Sequence, residues 1–317
     1  MTGDAEQEYF VDGMVEEITT AISRLPWLFV IARNSSFTYK GKAVDVKQVA
    51  RELGVRYLLE GSVRKAGNRV RITGQLIDTT TGAHIWADRF DGTLDDIFEL
   101  QDLVASNVAG AIEPKLRQSE IERATRKPTE SLDAWDLYLR ALALRYQYTE
   151  ESIREAIVML RRALSIDPSF APAAAMIGTC RMHQRGNRLG PVSDAEIAEA
   201  VRLARGAIEV GKDDPDVLWM AGWTISILGG EPATAANVID RALTLNPNSA
   251  HAWMARGVAY LGQNRPDAAI EALEHAIRLS PLDPWGARAF SLLLATAHLA
   301  AGRYEQAIEL AERALAA

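Results

Sequence analysis

Ala242-Leu243-Thr244-Leu245-Asn246-Pro247 and Ala276-Ile277-Arg278-Leu279-Ser280-Pro281 repeat one pattern 34 residues apart, and Ala163-Leu164-Ser165-Ile166-Asp167-Pro168 is an earlier copy. That spacing is the period of stacked helix-turn-helix units. Two short helices cannot bury their apolar faces alone, so the copies must stack, and stacked copies form a solenoid. A solenoid presents a long surface to another molecule and seldom performs chemistry.

Outward from that pattern, the clearest unit runs from Ala250 to Pro281. Trp253, Arg256, Gly257 and Tyr260 share one helical face, and Gly257 is small enough to let a second helix approach. Ala269, Leu273 and Ala276 face back from that second helix, and Pro281 ends it. This pattern resembles the tetratricopeptide repeat, with Arg256 where the family has Leu. In the same register, Asp216 to Pro247 carries Trp219, Ala235, Ile239 and Ala242 but has Trp223 at the small position. Leu132 to Pro168 forms a unit with Ala141 at that position, and Phe170 to Val210 forms a stretched one with a loop expected over Gln184 to Pro191. A last unit runs from Arg288 to Ala317, after a rigid Pro281-Leu282-Asp283-Pro284 connection. The expectation is an all-α solenoid over 128–317 with about five repeats, two of them degenerate.

Before Lys127 the periodicity changes. An amphipathic helix is predicted from about Glu8 to Arg24, with Phe10, Met14, Ile18 and Ile22 on one face, and Leu28-Phe29-Val30-Ile31-Ala32 reads as a short buried strand. A helix over Asp45 to Leu53 is capped by Asp45 and stopped by Gly54. Alternating runs at Tyr57–Val63, Val70–Ile77 and Ile85–Phe90 are separated by turn residues and read as an antiparallel meander. A long helix from Leu94 to about Arg123 follows, with Ile97, Leu100, Val104, Val108 and Ile112 as its apolar stripe and Pro114 inside it. The expected fold class is an α+β domain over 1–127, a mixed sheet with helices, followed by the solenoid.

Four strings carry a second resemblance: Glu6-Gln7-Glu8-Tyr9-Phe10-Val11-Asp12-Gly13, Trp27 to Phe37, Glu60-Gly61-Ser62-Val63 and Gly82 to Arg89. They are similar to the TolB amino-terminal-like domain. In bacterial signalling proteins that domain precedes tetratricopeptide repeats and lies downstream of a class III adenylate cyclase catalytic domain or a winged-helix DNA-binding domain. The family enters the domain through an apolar strand and a Pro-Phe, Asn-rich turn; Met1-Thr2 falls inside that turn, so the first strand is expected to be missing. Either the start is assigned too far downstream or the chain is a remnant of a longer protein.

The charges divide as 17 basic and 19 acidic residues up to Lys127, and 18 and 23 after it, giving −2 and −5 of the total −7. Neither half has the basic excess that phosphate neutralisation needs, so nucleic-acid binding is not expected. No secretory signal or run of about 20 apolar residues is present, and the single cysteine, Cys180, suits a buried role in a reducing compartment, so a cytoplasmic location is expected. No phosphate-binding Gly loop, nucleophile elbow or His/Cys pair at metal spacing is found, so no catalytic, metal or cofactor residues are assigned.

Three clusters remain. Arg33, Asn34 and Ser35, with Lys40 after them, follow the predicted strand at a position where open α/β sheets bind small ligands; the alternative is a capped turn. His84, Trp86 and Asp88 alternate onto one strand face, as a binding surface or as sheet packing with a solvated edge. In the solenoid, the resemblance implies that the first helix of each repeat lines a concave face. The positions there are His251, Met254 and Val258, and in the preceding repeat Val217, Met220 and Thr224, with the two methionines as a soft floor for a protein or peptide. The alternative for both methionines is ordinary packing between helices. The function expected is a non-enzymatic, protein-binding sensory or scaffold module; the alternatives are the C-terminal portion of an adenylate cyclase or the remnant of a winged-helix regulator.

Overall fold

A computed structural model describes residues 5–25, 27–31, 33–42, 44–93, 97–126, 132–186, 188–279 and 286–316. The chain packs as two units, Met1–Leu116 and Arg117–Ala317.

In the first unit, α1 (Ala5–Ser23) turns its apolar stripe inward: Phe10 and Met14 are buried and Ile18 packs beside them. The short α2 (Arg33–Ser36) leads into a single 3-10 turn, Phe37–Tyr39. Helix α3 (Val46–Leu53) begins where the Asp45 carboxylate accepts the Lys47 N–H at 2.8 Å, and ends at Gly54, whose φ of 68° only glycine adopts freely. Three strands follow, β1 (Tyr57–Ala66), β2 (Arg69–Asp78) and β3 (Ala83–Thr93), paired antiparallel in the order β1-β2-β3. Val70, Ile72 and Leu76 alternate along β2 toward a core that α4 (Ile97–Arg126) closes with Leu100, Val104, Val108 and Ile112.

Two expectations are corrected here. Among the described residues the sheet is wholly antiparallel, not mixed. The run 28–32, expected as a buried strand, has no strand partner among the described residues: Leu28 and Val30 pack half-buried on the core while Phe29 is 87% exposed, and Ala32 lies outside the described residues. An apolar run specifies burial, but a strand also needs a neighbour to take its backbone hydrogen bonds.

The first unit ends within α4, which continues through Pro114; Ile121 and Ala124 at its far end belong to the second core. Among the described residues, the second unit contains five helix pairs. They are α5 (Ala134–Arg145) with α6 (Glu150–Ile166), α7 (Ala171–Gly186) with α8 (Asp194–Val210), α9 (Pro215–Ile227) with α10 (Pro232–Leu245), α11 (Ala250–Gly262) with α12 (Pro266–Leu279), and α13 (Gly286–Ala300) with α14 (Tyr304–Ala316). First helices also pack on one another, α7 on α9, α9 on α11 and α11 on α13. Starts are fixed by side chains: Asp133 with Asp136, Thr149 with Ser152 and Ser193 with Glu196 form reciprocal capping boxes. Each such cap contributes about 1 kcal/mol. The long loop expected in the second pair is there, with Arg188 and Gly190 at φ of 54° and 94°. The Pro281–Pro284 connection lies outside the described residues.

The repeating positions pack as small-into-large contacts. A Cβ on Gly257 would lie 2.6 Å from Leu273 Cγ and 3.3 Å from the Ala269 carbonyl oxygen, and one on Gly222 would lie 2.7 Å from Ile239 Cγ1 and 3.4 Å from the Ala235 carbonyl oxygen. Gly222, not Trp223, is therefore the small position of its repeat. The second helices α10 and α12 keep the 34-residue period, but α9 and α11 begin 35 residues apart, at Pro215 and Ala250. The difference is the turn: residues 228–231 join α9 to α10, whereas 263–265 join α11 to α12.

Candidate partner-binding face

The one-residue offset decides which side chains the first helices present. His251, Met254 and Val258 are the second, fifth and ninth residues of α11; the same positions of α9 are Asp216, Trp219 and Trp223. Val217, Met220 and Thr224 thus lie about 100° round the helix from the intended face. They are core: Val217 is 0%, Met220 2% and Thr224 0% exposed, and Thr224 stands so close to Gly178 of α7 that a Cβ there would meet its Oγ1 at 2.3 Å. Met254 and Val258 hold the right register, yet both are buried because neighbouring first helices close over them. Of the six expected contacts only His251 remains half-buried, and the methionine floor is inter-helix packing.

The corrected face carries rings instead. Tyr148, in the turn after α5, meets His183 of α7 at 5.0 Å between centroids; His183 meets Trp223 at 5.8 Å, Trp223 meets Trp219 at 6.1 Å, Trp219 stacks on His251 at 5.2 Å, and His251 meets Phe290 of α13 edge-on at 5.6 Å. Tyr148, His183, Trp223 and His251 are half-buried, while Trp219 and Phe290 are sealed beneath. Aromatic pairs at these separations attract one another beyond their buried area.

Charged groups lie beside the ladder. Asp216 accepts from Arg117 Nη2 at 2.7 Å and from Trp219 Nε1 at 3.1 Å. Burial opposes its charge, but the Arg117 guanidinium and these bonds hold its carboxyl below the usual carboxylate range. Asp214 caps α9 by accepting from the Asp216 and Val217 N–H groups, and burial together with the Asp216 charge pushes it up to about 6. Near Tyr148, Arg145 is 4% exposed, with its guanidinium over the Tyr146 ring at 4.9 Å. His183 is driven down to about 3 by burial and by Arg145. Cys180 is fully buried and its thiol is pushed up to about 12 by burial. A thiol reagent should therefore modify Cys180 only when urea unfolds the chain, and rapid labelling of the native protein would contradict its burial.

The other sequence-predicted clusters are not assembled as sites. Lys40 is held by Asp12 of α1 at 2.5 Å and lies over the Phe37 ring, and Ser35 is exposed with its carbonyl accepting from Thr38; the side chains of Arg33 and Asn34 lie outside the described residues. On β3 a bulge at Ile85 breaks the alternation, since Trp86 pairs with Leu76 but His84 pairs with Ile77. Trp86 is 7% exposed against the core while His84 and Asp88 are solvated, so they do not share a binding face. Among the described residues, no three His, Cys, Asp or Glu side chains gather as a metal site, and no helix is long and apolar enough to cross a membrane. Sequence reasoning missed Arg145, His183 and the tryptophan pair; Trp219 and Trp223, four residues apart on one helix face, were the available signal.

Tetratricopeptide-repeat family profiles match residues 229–284 and 290–317, and the helix pairs there are tetratricopeptide repeats. Over 215 residues the chain is 45% identical to a Rhizobium meliloti protein that carries the name adenylate cyclase 3; the match takes in 68% of this chain and 37% of that protein. The chain thus spans well under half the length of that relative. Similar solved structures include a thermophilic tetratricopeptide-repeat protein of Thermus thermophilus, 19% identical with a TM-score of 0.44 over 57% of this chain and 90% of that one. YrrB, described as having an unusual peptide-binding site, is 20% identical with a TM-score of 0.35 over 62% and 90% of the two chains. PilW, a type IV pilus biogenesis factor, is 16% identical with a TM-score of 0.42 over 64% and 79%.

Proposed function

We propose that this chain is the non-enzymatic, protein-binding portion of a cytoplasmic bacterial signalling protein of the adenylate cyclase type. In this reading residues 1–127 are a TolB-like unit and residues 128–317 are the solenoid that holds a peptide or protein on its concave face. The likeness to the Rhizobium meliloti protein supports the cyclase-type setting, and the 215 residues matched exceed the 201 of the second unit, so the likeness reaches into the first. The observation that carries the binding reading is the ring ladder: half-buried Tyr148, His183, Trp223 and His251, drawn from successive repeats, line up where extended chain could lie across them. Rigid aromatic surfaces lose little side-chain entropy on binding and are the usual anchors of protein recognition.

A peptide-display selection on the purified chain should enrich sequences rich in aromatic or proline residues. Their binding should fall about tenfold or more in Trp223→Ala, the cost of a truncated hot-spot ring. It should persist in Trp253→Ala, whose ring packs away from the ladder on His275 at 4.4 Å. Equal capture by wild type and Trp223→Ala, with circular dichroism unchanged, would remove the ladder as the binding face. Incubated with ATP and a divalent metal, the chain should yield no cyclic AMP; turnover that survives a mock purification would restore the enzymatic reading.

A further inference from the structure

Ala141, Gly222 and Gly257 are the eighth residues of α5, α9 and α11, so the second and fifth residues of α5, Trp135 and Tyr138, are the counterparts of Asp216 and Trp219 in α9. Arg117, near the end of α4, bears on both helices. Its Nη2 meets Asp216 Oδ2 at 2.7 Å across 99 residues of sequence, each side chain only 16% exposed, and its charge acts on Tyr138. Beyond it Ile121 and Ala124 are buried in the solenoid core, and Arg140 of α5 donates from Nε to the Ala124 carbonyl at 3.1 Å. Residues 117–126 are thus docked where the ladder begins, since Asp216 also accepts from Trp219, which stacks on His251.

Two features make this contact separable. Pro114 has no N–H to give the Gly110 carbonyl, so the helix is weakest just ahead of Arg117. The segment itself is polar, and Ile121 and Ala124 are the apolar side chains it buries among the described residues. Its hold on the solenoid therefore leans on the ion pair. Whatever takes its place must meet Asp216, because a carboxylate left in that enclosed position without a cation is costly.

We propose that residues 117–126 are an intramolecular occupant of the solenoid's inner face, held by Arg117 on Asp216, and that a partner bound along the aromatic ladder displaces them by bringing an Arg or Lys of its own to Asp216. This rests on the peptide-binding reading above. It adds that the partner segment is basic and that the chain opposes its binding until α4 lets go.

The first probe is a fluorescein-labelled peptide of the chain's own residues 113–127, with a scrambled peptide as control. In the full chain carrying Arg117→Glu and Ile121→Asp, the tethered segment is repelled from Asp216 and from the core. The peptide should bind there at least tenfold more tightly than to wild type, where the tethered copy wins by its effective concentration. Adding Asp216→Asn to that pair should weaken the peptide about tenfold, as loss of a charge-assisted contact does. Hydrogen exchange of the wild-type chain keeps the test open if the double variant does not fold. Saturating display-selected peptide should speed exchange of the amides of 118–126 about tenfold or more and leave those of α12 unchanged. Arg117→Gln alone should bind the selected peptides about five- to tenfold more tightly, because more molecules have the face open. A segment that only supports the fold would give equal or weaker binding, which would overturn the proposal. Failure of the 113–127 peptide to bind a double variant whose melt is still that of a folded solenoid would overturn it as well. Selected peptides that contain no Arg or Lys, or that leave exchange at 118–126 unchanged, would overturn it while leaving the peptide-binding reading intact. Capture of the 113–127 peptide with no display peptide enriched would support the displaceable contact and remove the ladder as a binding face.

Discussion

Gly222→Val is expected to collapse the repeat that carries the tryptophan pair, lowering the melting temperature by about 10 °C or more. The Cβ alone would stand 2.7 Å from Ile239 Cγ1 and 3.4 Å from the Ala235 carbonyl oxygen, and a valine adds two methyl groups there. Ile239 and Ala235 are 0% exposed, so neither has free space to give. Overpacking of this kind costs about 1 to 3 kcal/mol where a core can adjust and more where backbone lies in the way. Helices α9 and α10 each pack on a further repeat, so in a nearest-neighbour array the loss reaches both sides. Gly206 in α8 is the internal control. A Cβ there meets nothing within 4 Å, and Gly206→Ala should stabilise by about 1 kcal/mol through helix propensity. Circular dichroism melts of the two variants decide the register: a Gly222→Val protein that melts like wild type would return the small position to Trp223.

That register is where the sequence was legible only in part. The Ala-to-Pro phrase fixed the second helices, whose contacts with Gly257 and Gly222 recur 34 residues apart at Leu273 and Ile239. It could not fix the first helices, because the turn between the two is free to differ in length, and Gly229-Gly230 adds one residue to it. One residue turns a helix by about 100°, enough to exchange an outer face for the core. Hence Met220, placed at the equivalent of Met254, sits at that of Ala255. In the first unit the meander was legible because the alternation of Val70, Ile72 and Leu76 and the turn glycines agree. Leu28–Ile31 was not, since hydrophobicity alone cannot report whether a backbone partner is present. Arg145 was beyond reach for a related reason: a basic residue at a helix end reads as solvated, and only packing shows it enclosed by Tyr146, Tyr148 and Cys180.

Two perturbed groups, His183 in the ladder and Asp214 at the N-cap of α9, should make stability depend on pH in opposite senses. His183 titrates at about 3 in the fold against 6.5 for the unperturbed side chain, so the unfolded chain binds its proton first. Its contribution is fully present above about pH 6.5 and is lost progressively as the pH falls toward 3. Asp214 is raised from 3.8 to about 6, so the folded chain binds its proton first; that contribution is fully present below 3.8 and is lost as the pH rises through 6. Between about pH 4.5 and 6 the slopes oppose one another, and the wild-type urea midpoint should change little. Asp214→Asn keeps a side-chain oxygen to cap α9 and removes the burial and Asp216 repulsion that oppose ionisation, so its acid limb should be steeper than wild type and its stability at pH 7.5 higher. His183→Gln removes the other slope, and its stability should fall on going from pH 4.5 to 6. Urea melts of the three proteins across that window are sufficient. Parallel curves for all three would mean that neither group is perturbed as its surroundings require, and a His183→Gln protein that gains stability as pH rises would show the Asp214 carboxyl ionised throughout.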